Sequence, residues 1–414
     1  MTQQKTKQLP KEWNKEELGE VAEFKRGPFG SSVQKSVCVS RAKNTYKLYE
    51  QGNVINNDFE RGKYYLSKEK FNELKNFEIE SGDILITCAG TIGKIAIVPE
   101  KFEKGIINSV LMRIRIDKRK INRDYFLYFF KSSNVQNDIQ SKSAGVAVKN
   151  LFATKLLKRF QIPLPPLPLQ HLIVSTVETQ FTRLDEAVKS LKTVKQKIEV
   201  YRKAVLKKAF EEKEGWEDIL VKDMGKIVTG KTPKTSVLEY YGNDFCFFKP
   251  GDLGKGYLVN NSKFKLSKKG LETLKKLPEK SVMITCIGAT IGKTGLSRVE
   301  GATNQQINSI IVNKNKFVPE ILYYLFISEI GQRKIIDNSS STTLPILNKG
   351  RFEKLKFVLP TSLLLQQQIV SHIESKFSVI DKVGEIVDNS LKKAERLRKS
   401  ILKVAFEGRL VKNV

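Results

Sequence analysis

Residues 167–181, LPLQHLIVSTVETQF, return at 363–377 as LLLQQQIVSHIESKF, and RKAVLKKAFEE from Arg202 returns from Arg398 as RKSILKVAFEG. Both pairs are offset by 196 residues, with no gap between them. Upstream the offset drifts: Leu85-Ile86-Thr87-Cys88 matches Met283-Ile284-Thr285-Cys286 at 198, Gly93-Lys94 matches Gly292-Lys293 at 199, Ile107-Asn108-Ser109 matches Ile307-Asn308-Ser309 at 200, and Trp13 matches Trp216 at 203. A chain written twice folds as two like units. Insertions collect in one part of each unit and are absent from the other.

The gapless part has a helical period. Val177, Leu184, Leu191, Ile198 and Val205 recur every seven residues, with Phe181, Ala187 or Val188, Val194 and Tyr201 between them. The second copy has Ile373, Ile380, Val387, Ala394 and Ile401, with Val383, Leu397 and Val404. Apolar heptads with Lys, Arg, Glu and Asp at the remaining positions predict two coiled-coil helices of about 40 residues, roughly 60 Å each. The two seams are expected to pair antiparallel within the chain; a helix of another subunit is the alternative partner. Proline-bearing stretches, FQIPLPPLPLQ from Phe160 and FVLPTSLLLQQ from Phe357, precede the helices and mark the exit from a globular part.

Each globular part mixes apolar runs such as DILITCAG and SVLMRIRI with Gly, Asn and Asp turns and a short helix near RDYFLYFFKSS or EILYYLFISE. The expected fold is α+β: two similar domains separated by two long, paired antiparallel coiled-coil helices, a pseudo-twofold internal repeat. The segments are 1–160 (first domain), 161–214 (Pro-rich linker and central helix), 215–357 (second domain) and 358–414 (linker and C-terminal helix). Tyr125, Phe126, Tyr128 and Phe129, with Tyr323, Tyr324 and Phe326, have the spacing of a buried helical face rather than of a base-stacking platform.

Chemistry is mostly excluded. TCIGATIGKTG from Thr285, and its copy TCAGTIGKIAI from Thr87, lack the Gly-four-residues-Gly-Lys-Ser/Thr spacing that wraps a nucleotide phosphate, and no helical period follows. Four single cysteines (Cys38, Cys88, Cys246, Cys286) and two histidines form no metal-ligand or nucleophile pattern, so no catalytic or metal residue is expected. The formal charge of +29, from 73 Lys and Arg against 44 Asp and Glu, points to a polyanion. No apolar run is long enough to span a membrane, and the start has no signal-peptide pattern, so the expected location is the cytoplasm and the expected polyanion is nucleic acid.

The chain resembles the specificity subunit of a type I DNA restriction-modification system over nearly its whole length. The carrying stretches are EWNKEELGEVAEFKRGPFGSS, YEQGNVIN, ESGDILITCAGTIGKIAIVPE, IPLPPLPLQHLIVSTVETQFTRLDE, GWEDILVKDMGKIVTGKTP, FFKPGDL and TCIGATIGKTG. The second linker lacks the double proline of the first. The resemblance implies two target-recognition domains, each reading one part of a split sequence in double-stranded DNA, and helices that dock modification subunits, two of them, with restriction (translocase and nuclease) subunits as further partners. It implies adenine-N6 methylation in those partners, with S-adenosylmethionine, ATP and Mg as their cofactors, and no catalysis or cofactor here. The chain agrees: it has no Asn-Pro-Pro-aromatic methylation motif and no nuclease motif. The competing reading is a basic coiled-coil scaffold that binds nucleic acid by shape.

Phosphate contacts are expected from Lys25, Arg26, Ser31 and Ser32 around the Gly27-Pro28-Phe29-Gly30 turn, and from Lys231, Thr232 and Lys234 in the second half. Lys94 and Lys293 of the glycine loops either touch phosphate or are solvated turn lysines. Candidate base readers are Gln51, Asn53, Lys249 and Asp252, then Gln305, Gln306 and Asn308, since these side chains pair with base edges. Their alternative is turn chemistry, in which Asn and Asp bond their own backbone.

Overall fold

The computed structural model describes residues 9–143, 154–254, 258–340 and 344–411. The chain forms two compact units, residues 1–190 with 390–414 and residues 191–389. Each unit therefore holds one globular domain, part of one long helix and the complementary part of the other.

The first unit contains β1 (Asn14–Glu17), β2 (Ala22–Arg26), β3 (Tyr46–Tyr49), β4 (Tyr65–Leu66), β5 (Ile84–Thr87), β6 (Ile95–Ile97), β7 (Gly105–Ile107), β8 (Leu111–Ile116) and β9 (Gln161–Leu164). They form a larger sheet ordered β2-β8-β5-β6, a smaller one ordered β4-β3-β7, and the pair β1-β9. The run ILIT of β5 is buried throughout because the strand is covered on both faces: Ile84 and Ile86 join the core beneath the helices, and Leu85 joins a second core with Tyr49, Ala96 and Ile107. The short helix Arg123–Lys131 is capped by the Asn122 side chain, which accepts from Asp124 N and Tyr125 N at 2.9 Å each. Tyr125, Phe126 and Phe129 are buried, and Tyr128 packs edge-on to Phe181, so the aromatic face is core as its spacing predicts.

The second unit repeats this plan with β10 (Trp216–Leu220), β11 (Gly225–Thr229), β12 (Tyr241–Phe248), β13 (Leu258–Val259), β14 (Phe264–Leu266), β15 (Val282–Thr285), β16 (Thr294–Ser297), β17 (Gly301–Thr303), β18 (Ile307–Val312) and β19 (Lys356–Pro360). The larger sheet is β11-β18-β15-β16-β13, one strand wider than its counterpart; the smaller is β14-β12-β17, and β10 pairs with β19. Tyr323, Tyr324 and Phe326, on the helix Pro319–Ile327, are again buried.

The long helices run Leu167–Ala209 and Leu363–Phe406, starting at equivalent residues although the prolines differ. Pro166 O accepts from Leu169 N and Gln170 N in the first, while Ser362 supplies the cap of the second, its hydroxyl taking Leu365 N at 3.4 Å. Pro163 sits in β9, opposite Lys15, where β9 is half of a two-stranded pair and its missing N–H breaks no central ladder.

A repeated glutamine sets how each helix leaves its domain. Gln170 is fully buried; its amide donates to Lys120 O at 3.0 Å and Pro165 O at 2.8 Å, and its oxygen accepts from Asn122 N at 2.8 Å. Gln366 does the same with Lys316 O, Pro360 O and Val318 N at 3.0, 2.8 and 2.8 Å. In the second unit the helices run antiparallel, since Lys195 pairs with Asp388 at 2.7 Å and Arg202 with Asp381. Arg398 pairs with Asp185 in the first unit.

The heptad reading needs a correction. Ile373, Ile380, Val387, Ala394 and Ile401 are buried, but the intermediate Val194, Tyr201, Val383 and Leu397 are exposed. Phe181, Val188 and Val404 of the same intermediate set are half-buried, so the second apolar position of the heptad is covered only in part.

Candidate nucleic-acid interface

In the first domain the chain leaves β2 through a turn that admits no side chain at its start: a Cβ on Gly27 would collide with the Asn108 carbonyl, and Gly27 N donates to Leu111 O at 2.9 Å. Pro28 is buried, Phe29 projects into solvent, and Ser31 is exposed and Ser32 half-buried on the short 3-10 turn Gly30–Val33. Lys25 and Arg26 are half-buried on β2, with the Lys25 ammonium 5.4 Å from the Phe77 ring centre. The neighbouring Arg113 and Arg115 belong to the scaffold. Burial lowers the Arg113 pKa while its guanidinium bonds Glu78 O, and Arg115 holds Asp83 at 2.7 Å.

The helix Gln51–Asn56 follows β3 and packs against β5 and β6. Asn53 is buried; its oxygen accepts from Glu50 N at 2.8 Å and its amide donates to Asp58 O and Arg61 O at 2.9 and 2.6 Å. The base-reading expectation for Asn53 is therefore corrected: its hydrogen-bonding groups close the loop 50–61. Gln51 differs. Its Oε1 is buried and accepts no hydrogen bond, and it faces Gly90 of the glycine loop, where an added Cβ would come within 3.4 Å.

The glycine loops are closed turns. Thr87 O accepts from Gly93 N at 3.0 Å, the Thr87 hydroxyl accepts from Lys94 N at 3.0 Å, and the Gln136 amide reaches Phe130 O at 2.7 Å and Gly93 O at 3.5 Å. In the second domain Gly288, Ile291, Gly292 and Lys293 all donate their backbone N–H to carbonyls, and Gln332 clamps Gly292 O at 2.9 Å. Gly292 has φ +87°, which glycine alone adopts without strain. These amides are spent within the turns and are not free to cradle a phosphate. Lys94 and Lys293 remain exposed.

The second domain brings its candidates closer together. Gly230 N donates to Ile307 O at 3.1 Å and Lys231 N to Thr303 O at 3.0 Å, which lays the loop after β11 against the turn before β18. The Thr232 hydroxyl donates to Gln305 Oε1 at 2.6 Å, and Gln306 is held by Asn304 Nδ2 at 2.9 Å. Lys231, Lys234 and Gln305 are exposed on this edge. Asn308 is buried, accepting from the Thr229 hydroxyl at 2.7 Å and donating to Leu347 O at 3.3 Å. Asp252 takes Lys249 N and Lys263 N at 2.9 and 3.1 Å. Asn308, like Asn53, is buried and spends its amide on the fold, while Asp252 is half-buried and caps two backbone amides, the turn chemistry that stood as its alternative. Lys249 lies 3.6 Å above the Phe264 ring centre.

Sequence reasoning missed the brackets Gln170 and Gln366 and the pairs Arg398–Asp185 and Arg202–Asp381; their signal was their recurrence at equal offset. No group of His, Cys, Asp and Glu able to hold a metal occurs among the described residues. Burial pushes the Cys88 and Cys286 thiols up to about 12, so neither supplies a thiolate. No helix among the described residues is long and apolar enough to cross a membrane.

Known proteins match this arrangement. The family model for the type I restriction modification DNA specificity domain matches twice, at residues 10–200 and 213–384. The type I restriction enzyme HindI specificity subunit of Haemophilus influenzae is 32% identical over 40% of this chain and 37% of its own length. The EcoBI specificity subunit of Escherichia coli is 25% identical over 74% of this chain and 70% of its own. The match thus spans little more than a third of the HindI subunit. Among solved structures, a chain from work on complex assembly and conformational transition of the type I R-M system has the same fold, with TM-score 0.77 over 97% of this chain and 99% of that one at 19% identity. With two copies of the specificity domain on two paired helices, the chain belongs to the family of type I restriction-modification DNA specificity subunits, the non-catalytic members of those systems.

Proposed function

We propose that residues 1–160 and 215–357 are two target-recognition domains that read the two parts of a split duplex sequence, with segments 161–214 and 358–414 as spacer. The outward apolar positions of the helices, Val194, Tyr201, Val383 and Leu397, then meet two modification subunits in the cytoplasm. Those partners methylate adenine N6 with S-adenosylmethionine, and restriction subunits using ATP and Mg complete the assembly.

The observation that carries this reading is the common edge of the two domains. In each, the loop leaving the first strand of the larger sheet lies against the turn before its last long strand. On that frame the second domain groups Lys231, Thr232, Lys234, Gln305 and Gln306, and the first groups Lys25, Arg26, Ser31 and Ser32. Charged and hydroxyl groups position the duplex, while Gln51 and Gln305 or Gln306 read adenine edges. The unmet acceptor of Gln51 is the kind of buried group whose cost a bound base relieves. Lys94 and Lys293 add phosphate contacts.

The test is to co-express the chain with type I modification subunits in a methylation-free host and map N6-methyladenine across the genome. A single split motif with a constant gap is expected, and exchanging residues 1–160 should change one half of it. A stable complex with an intact methyltransferase and no methylated motif would favour the shape-binding scaffold instead.

A further inference from the structure

Phe29 and Leu238 are the most exposed large apolar side chains among the described residues, 87% and 81% accessible, against 71% for the next, Leu364. The fold puts both on the same connection, the loop that leaves the first strand of the larger sheet and returns as the first assigned strand of the smaller one. One exposed apolar residue on a loop is ordinary. That the extreme recurs on the same connection in both domains, just after β2 in the first and just before β12 in the second, is not explained by folding.

Both tips are held rigidly. Gly27 is pressed on the Asn108 carbonyl, Pro28 is buried, and Ser32 N closes on Phe29 O at 2.9 Å, with Gly30 leaving the Phe29 ring without a flanking side chain. Leu238 opens a 3-10 turn whose Tyr240 O takes Ser267 N at 3.1 Å, and Val237 N bonds Lys234 O at 3.2 Å. Exposed polar or basic side chains lie close by in sequence, Ser31 and Lys35 in one loop and Lys231 and Lys234 in the other.

Against a duplex, a side chain with no donor or acceptor contributes only by packing. A narrow apolar tip beside phosphate-binding groups suits insertion between base pairs, for which Phe and Leu are typical residues. We propose that Phe29 and Leu238 are wedges, each entering an opened base step in or beside its half-site, so that part of the specificity is read through how readily that step unstacks. Pyrimidine–purine steps are the most easily opened and are the expected targets. This rests on the assignment of these two loops to the DNA-facing edge.

The experiment uses the full chain assembled with its modification subunits and a duplex bearing the motif recovered by methylation mapping, with 2-aminopurine substituted at successive positions. A fluorescence rise is expected at one step near each half-site, away from the methylated adenine. Phe29→Ala should remove the signal at the first step only and Leu238→Ala at the second only. Phe29→Leu should keep most of it, and the Ala variants should slow methylation by about tenfold, a loss of the size of one mismatched base pair. A double variant Ser31→Ala, Lys35→Ala separates the two claims. If it weakens binding and flattens the salt dependence while Phe29→Ala leaves fluorescence, motif and rate unchanged, the wedge is wrong and the DNA-facing loop stands. If neither variant has an effect, the loop does not face DNA and both claims fall.

Discussion

In the smaller sheet the two reading domains have the same frame and opposite interiors. Lys47 of the first domain, on β3, pairs in parallel register with Gly105, and Cys246 of the second, on β12, pairs in the same way with Gly301. Both glycines are required by the frame, since a Cβ on either would collide with the carbonyl of its partner. Yet the Lys47 side chain is wholly buried, its ammonium donating to Phe59 O, Glu60 O and Glu103 at 2.9, 2.8 and 3.0 Å, whereas Cys246 sits in an apolar cluster with Phe248 and Leu277. The difference has a consequence at the site. Lys47 ties down the loop that begins with Gln51, whereas Cys246 packs among apolar side chains; the ladder carries the fold, and the residue inside it sets how firmly the neighbouring loop is held.

The sharpest test of that contrast is Lys47→Ala. Removing the buried ammonium leaves the Phe59 and Glu60 carbonyls unmet, while Glu103, about a third exposed, keeps Arg41 and Tyr65, so the loss is about 2–3 kcal/mol. Cys246→Ala removes one sulfur from an apolar site and should cost about 1 kcal/mol. Denaturant titration of each variant measures both, and methylation mapping should show Lys47→Ala degrading only the half of the motif read by the first domain. Equal losses would mean that the charged brace is no more than an alternative way to fill space.

The comparison has a shared side as well, at the root of each long helix. Gln170→Ala and Gln366→Ala each leave buried groups on three backbone partners without a bond, at about 1–3 kcal/mol. Because the brackets match bond for bond, the two losses should agree. Markedly unequal values, measured by the same titration, would show that one domain leans on its linker more than the other.

These two results also mark what was legible in the sequence. Both long helices and the aromatic helices follow from spacing, because burial of one face imposes a period on the chain, whereas the β5 and β15 runs follow from unbroken apolar character, since both of their faces are covered. The proposed recognition edge was legible in part: Thr232 and Gln305 lie 73 residues apart and nothing local joins them. Asn53, Asp252 and Asn308 misled because the property that lets Asn or Asp read a base, a compact donor and acceptor set, also closes a turn. Composition does not distinguish the two uses; only the partner does. Gln51 and Asn53 are two residues apart, and the structure gives one an unmet acceptor and the other a full set of bonds.

Acid should separate the domains further. Burial pushes the Glu103 carboxyl up, but the Lys47 hydrogen bond and charge, with Arg41 and Tyr65, hold it net below the usual glutamate value. A lowered folded-state pKa stabilises above the unfolded value, about 4.3, and that contribution is lost as pH falls through the folded value. Stability of the first domain should therefore drop below roughly pH 4 more steeply than that of the second. Glu103→Gln should flatten the difference, and an unchanged pH profile in that variant would remove Glu103 as its source.

The smallest effect concerns the feature on which the two units agree most closely. Arg398 pairs with Asp185 and stacks over Phe181 at 4.3 Å in one, and Arg202 pairs with Asp381 over Phe377 at 4.8 Å in the other. The aspartates are mostly exposed, so water screens each ion pair and its charge contributes at most about 1 kcal/mol. Packing of the guanidinium on the ring adds about 0.5–1 kcal/mol. Arg398→Lys keeps the charge but loses the planar stack, so it should cost about half of what Arg398→Ala costs, and Arg202→Lys should follow the same ratio. If the lysine variants match wild type in the denaturant midpoint, the ion pair alone holds the helices at this point. If they match the alanine variants, the aromatic stack does, and the repeat has kept Phe181 and Phe377 as the seat of the arginine rather than as part of the apolar seam.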